Sequence, residues 1–177
     1  VVLRIISWLI GLWAIWGMYH LIRALFADEW IALAGAWCYS FSPVVFYYSV
    51  NPLPDNLALA AGIWGAAAFV KWQREGATLQ LWLAAGMLML STLAKLPFIL
   101  FYLLPLVYLV QDTLRSRFAR IGKNVLHGLP FLLLLLPAAI WYLWVIPTWT
   151  GNGVVKGILE ASADEIPEIL GIFFHNV

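Results

Sequence analysis

Long apolar runs, interrupted by single charges and by prolines, divide this chain into helices. Residues 5–22 contain no Asp, Glu, Lys or Arg, which predicts a first membrane span at 3–24. From Trp30 to Val70 the only charged residue is Asp55. One helix of that length would be roughly 60 Å long, about twice the thickness of a bilayer's hydrocarbon core. The run must therefore fold back on itself.

Prolines mark the place where this run turns. Residues 51–55 read Asn-Pro-Leu-Pro-Asp, and proline neither continues a helix nor lets the preceding residue take helical geometry readily. We therefore predict spans at 29–50 and 56–72, with Asp55 at the turn between them. The span at 56–72 has faces of small side chains that suit helix packing. These side chains are Ala61, Gly62, Gly65 and Ala66.

A second turn of the same kind follows downstream. Between Gly76 and Gln111 the only charged residue is Lys95, and Pro97 comes two positions later. This pattern predicts two spans that meet at the lysine. With a further apolar run near the C-terminal end, the remaining predicted spans are 79–95, 97–111 and 125–147.

The predicted fold is an all-α polytopic membrane helical bundle with about six transmembrane helices. Residues 1–150 form the membrane module, and 151–177 form an outer-face loop or the start of the next outer-face segment. Alternating spans place seven basic residues on one side, which are Arg23, Lys71, Arg74, Arg115, Arg117, Arg120 and Lys123. Since basic loops are retained on the cytoplasmic side, the other face is predicted to be the outer one. That face holds Asp55 and Lys95.

Composition supports a membrane location. Apolar residues make up 64% of the chain and charged residues 11%, whereas soluble domains have about 45–50% and 25%. The net charge of +1 gives no indication of nucleic-acid binding, and a single cysteine, Cys38, allows no disulfide framework or zinc cluster. The first residues are already apolar and show no signal-peptide pattern. We therefore expect this sequence to be an internal fragment of a longer protein.

Asp55 and Lys95 are the leading candidates for chemistry. Ionisable groups at membrane depth are costly and are functional candidates by default. A lysine there can hold a phosphate, while a carboxylate can bind a metal, orient a sugar or accept a proton. Structural alternatives stay open, because an aspartate at a helix start is a preferred N-cap and a lysine near a span end can extend to the interface.

Three further residues are predicted to bind substrate. Arg4 lies near the outer start of the first span, Tyr48 precedes the Asp55 turn and Asn56 follows it. Extension to the interface by Arg4 and an interfacial position for Tyr48 are the alternatives, and Tyr102 after the Lys95 turn is interpreted as interfacial too. No metal-ligand set is assigned, and no nucleotide-binding or hydrolase motif is present.

Four segments taken in order carry a resemblance to a known family. They are 20–26 (His-Leu-Ile-Arg-Ala-Leu-Phe), 42–48 (Ser-Pro-Val-Val-Phe-Tyr-Tyr), 54–60 (Pro-Asp-Asn-Leu-Ala-Leu-Ala) and 93–97 (Leu-Ala-Lys-Leu-Pro), the last preceded by Gly86. From residue 1 to about 150 the chain resembles membrane-embedded glycosyltransferases related to dolichyl-phosphate-mannose protein mannosyltransferases and bacterial lipid A aminoarabinose transferases.

The resemblance implies an enzyme that moves a sugar from a polyprenyl- or dolichyl-phosphate donor to a protein or lipid acceptor. Asp55 matches the family's acidic residue at the active site, and Lys95 matches a lysine near the donor phosphate. The acidic residue of the family's first outer loop would lie before Val1. No cofactor is assigned, and a divalent metal ion is left open. The expected location is a bacterial inner (plasma) membrane, as a multi-pass protein with its active site facing outward.

A transporter or other non-catalytic membrane protein is the competing interpretation, with Asp55 and Lys95 as an ion or substrate site. Transporters place such groups near the midplane, on broken helices within inverted repeats. Here both charges fall at predicted turns on one face, and no repeat is visible. The pattern therefore favours the enzyme.

Overall fold

The computed structural model describes residues 2–51 and 53–148, and every regular element within those ranges is helical. The predicted all-α class is confirmed. In chain order the elements are α1 (Val2–Phe26), α2 (Glu29–Ser40), α3 (Pro43–Val50), α4 (Pro54–Glu75), α5 (Thr78–Ala94), a 3₁₀ segment (Leu96–Tyr102), α6 (Leu103–Arg115), α7 (Ile121–Ile140), a π-helical segment (Trp141–Val145) and α8 (Ile146–Thr148).

Three helical stretches in the described part are long and apolar enough to cross a membrane by length and composition. They are Val2–Phe26, Leu96–Arg115 and Ile121–Val145. The chain is therefore an integral membrane protein, although this criterion does not confirm the predicted count of about six spans. α5 is apolar but has only 17 residues. α4 is long enough, but it is not among the sufficiently apolar helices. It is rich in Ala and Gly, and most of its residues are buried against other helices.

The prediction of one continuous helix at 29–50 is wrong, because two helices occupy this segment. α2 ends at Ser40, and α3 begins at Pro43. Pro43 has no backbone N–H, and its ring would clash with the carbonyl of Tyr39 if the helix continued. The chain instead makes a tight turn in which the Ser42 N–H donates to the Tyr39 carbonyl at 3.1 Å.

α4 is the central helix of the described bundle. α1 and α5 both pack along it, and most of its length is buried. Its two glycines permit close approach, since a Cβ at Gly62 would lie 2.5 Å from Phe101 and one at Gly65 would lie 2.5 Å from Leu88. The small-residue faces predicted on this helix therefore pack against neighbouring elements. A buried cluster that includes Phe69, Trp72, Leu81, Leu88 and Phe131 continues the core.

Replacing Gly65 with leucine should destabilise the bundle by about 1–3 kcal/mol, the usual cost of overpacking. The new side chain would meet Leu88 and, at 3.3 Å, the backbone oxygen of Ala84. Thermal unfolding of the purified protein in detergent measures the effect. Gly86→Leu is the matched control, because a Cβ at Gly86 has no neighbour within 4 Å. Equal unfolding midpoints for the two variants would contradict this packing.

The chain divides into two compact units, Val1–Ala138 and Ala139–Val177. The first contains α1 to α6 and most of α7. Of the second, the structure describes the end of α7, the π-helical segment and α8. The predicted outer-face segment 151–177 lies outside the described residues and stays a prediction.

Candidate active site

The two lone charges of the apolar runs form an ion pair. Asp55 lies in the first turn of α4, and its Oδ1 accepts a hydrogen bond from the Lys95 ammonium group. The Asp55 side chain is 15% exposed and the Lys95 side chain is 42% exposed. The Asp55 side chain is therefore mostly enclosed, while the Lys95 side chain is partly accessible from outside the bundle.

Helix breaks place these two residues. α4 begins with Pro54 at its first position, where a missing N–H has no cost. α5 ends at Ala94, because Lys95 adopts an extended conformation (φ −157°, ψ 120°) and the 3₁₀ segment follows with Pro97 near its start. α5 runs antiparallel to α4. The start of α4 and the end of α5 therefore lie at the same end of the bundle.

The structural alternatives were an N-cap role for Asp55 and extension of Lys95 to the interface, and the structure contradicts only the first. Asp55 is not the N-cap of α4, because Leu53 occupies that position and no side chain caps the helix. The interpretation of Asp55 as a cap is therefore wrong, and its carboxylate bonds to Lys95 instead. Lys95 does extend toward the surface, but its ammonium group has a specific anionic partner.

Hydrogen bonds from buried side chains fix the helix ends around the pair. The Ser91 hydroxyl, on α5, donates to the Ala58 carbonyl of α4 at 2.6 Å. The buried Asn56 amide donates to the Ser7 carbonyl of α1 at 2.7 Å. These bonds join three helices within one turn or so of Asp55. Because each buried donor would be costly to leave unpaired, they hold the register of α4 against both neighbours.

The opposite end of the same helices carries basic side chains. Arg74 donates to the Leu25 carbonyl at 3.0 Å, and Arg23 pairs with Glu29 at 2.8 Å. The rise of an α-helix puts Asp55 and Arg74 roughly 28 Å apart along α4, close to the hydrocarbon thickness of about 30 Å. The ion pair and this basic cluster therefore lie at opposite ends of the bundle.

The other three predicted substrate-binding residues have different surroundings. Asn56 is 4% exposed, and its amide nitrogen is bonded to α1. Arg4 is exposed one turn before Ser7, at the same end as the ion pair, and has no ionic partner among the described residues. Tyr48 is half-buried, and its ring packs edge-on against Tyr47. The structure brings Asp55 and Lys95 into contact, but not Tyr48 or Arg4 with either.

Two buried hydroxyl groups lie near the Lys95 turn, of which sequence reasoning missed Thr92 and interpreted Tyr102 as interfacial. Thr92 Oγ1 and Tyr102 OH have no hydrogen-bond partner within the described part of the chain. Thr92 lies one turn before Lys95 on α5, and Tyr102 closes the 3₁₀ segment that follows it. Buried hydroxyl groups normally find partners, so a ligand or ordered water would satisfy them. A polar Ser91-Thr92 pair within an apolar helix was the available signal.

No group of three or more His, Cys, Asp or Glu side chains within the described ranges converges closely enough to hold an ion.

Comparison with known proteins identifies the family. A model of the dolichyl-phosphate-mannose-protein mannosyltransferase family matches residues 1–141. Neither curated proteins nor solved structures gave a significant match. The family model covers α1 to α7 and includes both members of the ion pair. The chain belongs to the dolichyl-phosphate-mannose-protein mannosyltransferase family, and it is therefore a membrane glycosyltransferase of the mannosyltransferase kind.

Proposed function

We propose that the protein transfers a sugar from a polyprenyl- or dolichyl-phosphate donor to a protein or lipid acceptor at the outer face of the membrane. One observation carries the proposal. In a chain of this family, the only charged residues of two long apolar runs meet in an ion pair at the ends of adjacent helices. Such a pair is costly within a membrane protein and is expected where charge is needed for function.

Lys95 is the residue that we assign to the donor phosphate. In an inverting transfer the acceptor oxygen attacks the anomeric carbon, and the bond from that carbon to the phosphate oxygen breaks. The bonding electrons leave with the phosphate, so negative charge develops there. A lysine ammonium has three N–H donors, and the bond to Asp55 uses one of them. The others can stabilise the departing phosphate.

Asp55 has a positioning role in this proposal. Its enclosed carboxylate pairs with the Lys95 ammonium group and fixes the direction of that side chain. Because the Lys95 ammonium group already occupies this carboxylate, we assign removal of the acceptor proton to another acidic residue, as the family resemblance implies.

The transporter alternative receives less support from the geometry. A transport site is expected near the membrane midplane, whereas Asp55 lies in the first turn of α4 and Lys95 directly follows the last residue of α5. Both positions are at helix ends.

The proposed topology has six crossings and both charges outside. The crossings are α1, α2 with α3, α4, α5, the 3₁₀ segment with α6, and α7 with the π-helical segment. The basic end of the bundle then faces the cytoplasm, in agreement with the preference of Arg and Lys for that side. We propose the bacterial inner (plasma) membrane as the location.

Cysteine labelling in intact cells tests this topology. In a Cys38→Ser background, Leu53→Cys and Leu96→Cys should react with a membrane-impermeant maleimide added outside. Both leucines are about two-fifths exposed, at 39% and 42%. Phe118→Cys, at the opposite end, should react only after the cells are permeabilised. Labelling of positions 53 and 96 from opposite sides would rule out a common outer-face site.

A transfer assay tests the function itself. Membranes with and without the protein are incubated with polyprenyl-phosphate mannose that carries a radiolabel in the sugar. We expect label to appear in the protein or lipid acceptor fraction only when the protein is present, together with free polyprenyl phosphate. Uptake of a labelled substrate into sealed vesicles without any transfer would support the transporter instead.

A further inference from the structure

An apolar groove lies between α6 and α7 at the basic end of the bundle, far from the ion pair. Its volume is about 310 Å³. Most of its lining is aliphatic or aromatic, and includes Leu109, Val110, Leu114, Phe118, Ile121 and Val125. Five of these six side chains are more than one-third exposed, the exception being Leu109. Nothing in the transfer reaction uses this surface.

A polar contact and a tight loop build the groove. The Asn124 amide, on α7, donates to Asp112 Oδ2 and Thr113 Oγ1 of α6, each at 2.9 Å. The connecting loop contains two consecutive left-handed residues, Arg117 (φ 48°) and Phe118 (φ 67°). Non-glycine residues adopt this conformation rarely and at a cost. The loop thus holds the Phe118 ring at one wall of the groove.

Four basic residues are close in sequence to residues that line this groove. Arg115, Arg117, Arg120 and Lys123 are all exposed. Arg120 pairs with Asp112 at 3.2 Å, whereas the other three have no ion-pair partner in the described part of the chain. Their charges are therefore available to an anion that approaches the loop.

We propose that this groove and these basic residues bind one anionic phospholipid of the adjacent leaflet. An acyl chain would lie in the groove, and the headgroup phosphate would contact Arg115, Arg117 and Lys123. Charge complementarity selects this occupant, because an apolar groove whose lining segment also carries exposed cations matches a chain that ends in a phosphate. Arginine suits phosphate in particular, since its guanidinium can donate two parallel hydrogen bonds. The proposal does not depend on the transfer reaction.

Native mass spectrometry of the purified protein, titrated with phosphatidylglycerol in a phosphatidylcholine background, tests the proposal. Wild-type protein should retain phosphatidylglycerol in preference to phosphatidylcholine. The triple variant Arg115→Gln/Arg117→Gln/Lys123→Gln should bind phosphatidylglycerol at least about tenfold more weakly. The control Lys71→Gln/Arg74→Gln removes basic residues from the same end of the bundle but away from the groove, and should bind like wild type.

A second variant tests the contribution of the apolar groove separately from that of the charges. Phe118→Asn suits the left-handed backbone, because asparagine tolerates it better than phenylalanine does, so the fold should be retained while the apolar wall is lost. We expect weaker retention of phosphatidylglycerol with all charges intact. Equal binding of both lipids, wild-type binding by the triple variant, or displacement of the lipid by inorganic phosphate alone would overturn the proposal.

Discussion

Replacing Lys95 with methionine is expected to slow sugar transfer by about 10²–10³-fold, the usual effect of removing one donor from developing charge in a transition state. Methionine keeps the apolar stem and removes the ammonium group. Lys95 is the partner of Asp55 and is 42% exposed, so the lost charge is one that a donor phosphate could reach. The rate of label transfer from polyprenyl-phosphate mannose, at saturating donor, measures the loss.

Lys71→Met is the matched control for this variant. Lys71 also lies in an apolar helix and is half-exposed, but it is at the other end of α4 and has only a 3.9 Å contact with Glu75. Its loss should leave transfer near the wild-type rate. Lys95→Arg should recover part of the activity, because the charge and the phosphate contact persist. If Lys71→Met and Lys95→Met are equally impaired, a specific role for Lys95 is excluded.

Replacing Asp55 with asparagine should slow transfer by about tenfold to 100-fold, the effect of misplacing a catalytic group by about 1 Å. The amide keeps the shape of the carboxylate but loses the charge that directs the Lys95 side chain. The effect is expected to be smaller than that of Lys95→Met, because the ammonium group remains.

Glu29→Gln provides the control for Asp55→Asn. Glu29 also belongs to an ion pair, with Arg23 at 2.8 Å, but both side chains are at least half-exposed and lie at the basic end. Exposed pairs contribute roughly 0–1 kcal/mol, so this variant should fold and transfer sugar normally. Equal rates for Asp55→Asn and Glu29→Gln would remove Asp55 from the site.

The sequence could predict that Asp55 and Lys95 lie at the same end of the bundle, because both are lone charges in apolar runs. A proline within two positions of each residue identifies the turn, and alternation of spans predicts both turns on one face. Direct contact between them could not be predicted. It depends on the register of α4 against α5, which the Ser91 bond to Ala58 helps to set. The Ser91–Ala58 hydrogen bond joins residues 33 positions apart in the sequence.

Prolines explain two places where the structure differs from an interpretation of the polarity pattern. The absence of charge over 29–50 predicts one helix, whereas Pro43 divides it into α2 and α3. The N-cap alternative for Asp55 does not hold, because Pro54 already occupies the first helical position and shifts the cap to Leu53. In both cases proline geometry had more influence than the polarity pattern.

The buried hydroxyl groups show another limit of sequence reasoning. A threonine or tyrosine in an apolar helix usually bonds within the protein or lies at the interface. Only the packing around α5 and the 3₁₀ segment encloses Thr92 Oγ1 and Tyr102 OH without a partner in the described residues. Enclosure depends on several elements at once and cannot be inferred from one helix.

The central claim is that Asp55 and Lys95 act as one unit in sugar transfer. Its most direct test is the transfer rate of four proteins: wild type, Asp55→Asn, Lys95→Met and the double variant, each first shown to be folded. Since Asp55 acts through Lys95, the double variant should be no slower than Lys95→Met alone. Wild-type rates for both single variants, or fully multiplicative losses in the double variant, would contradict the claim.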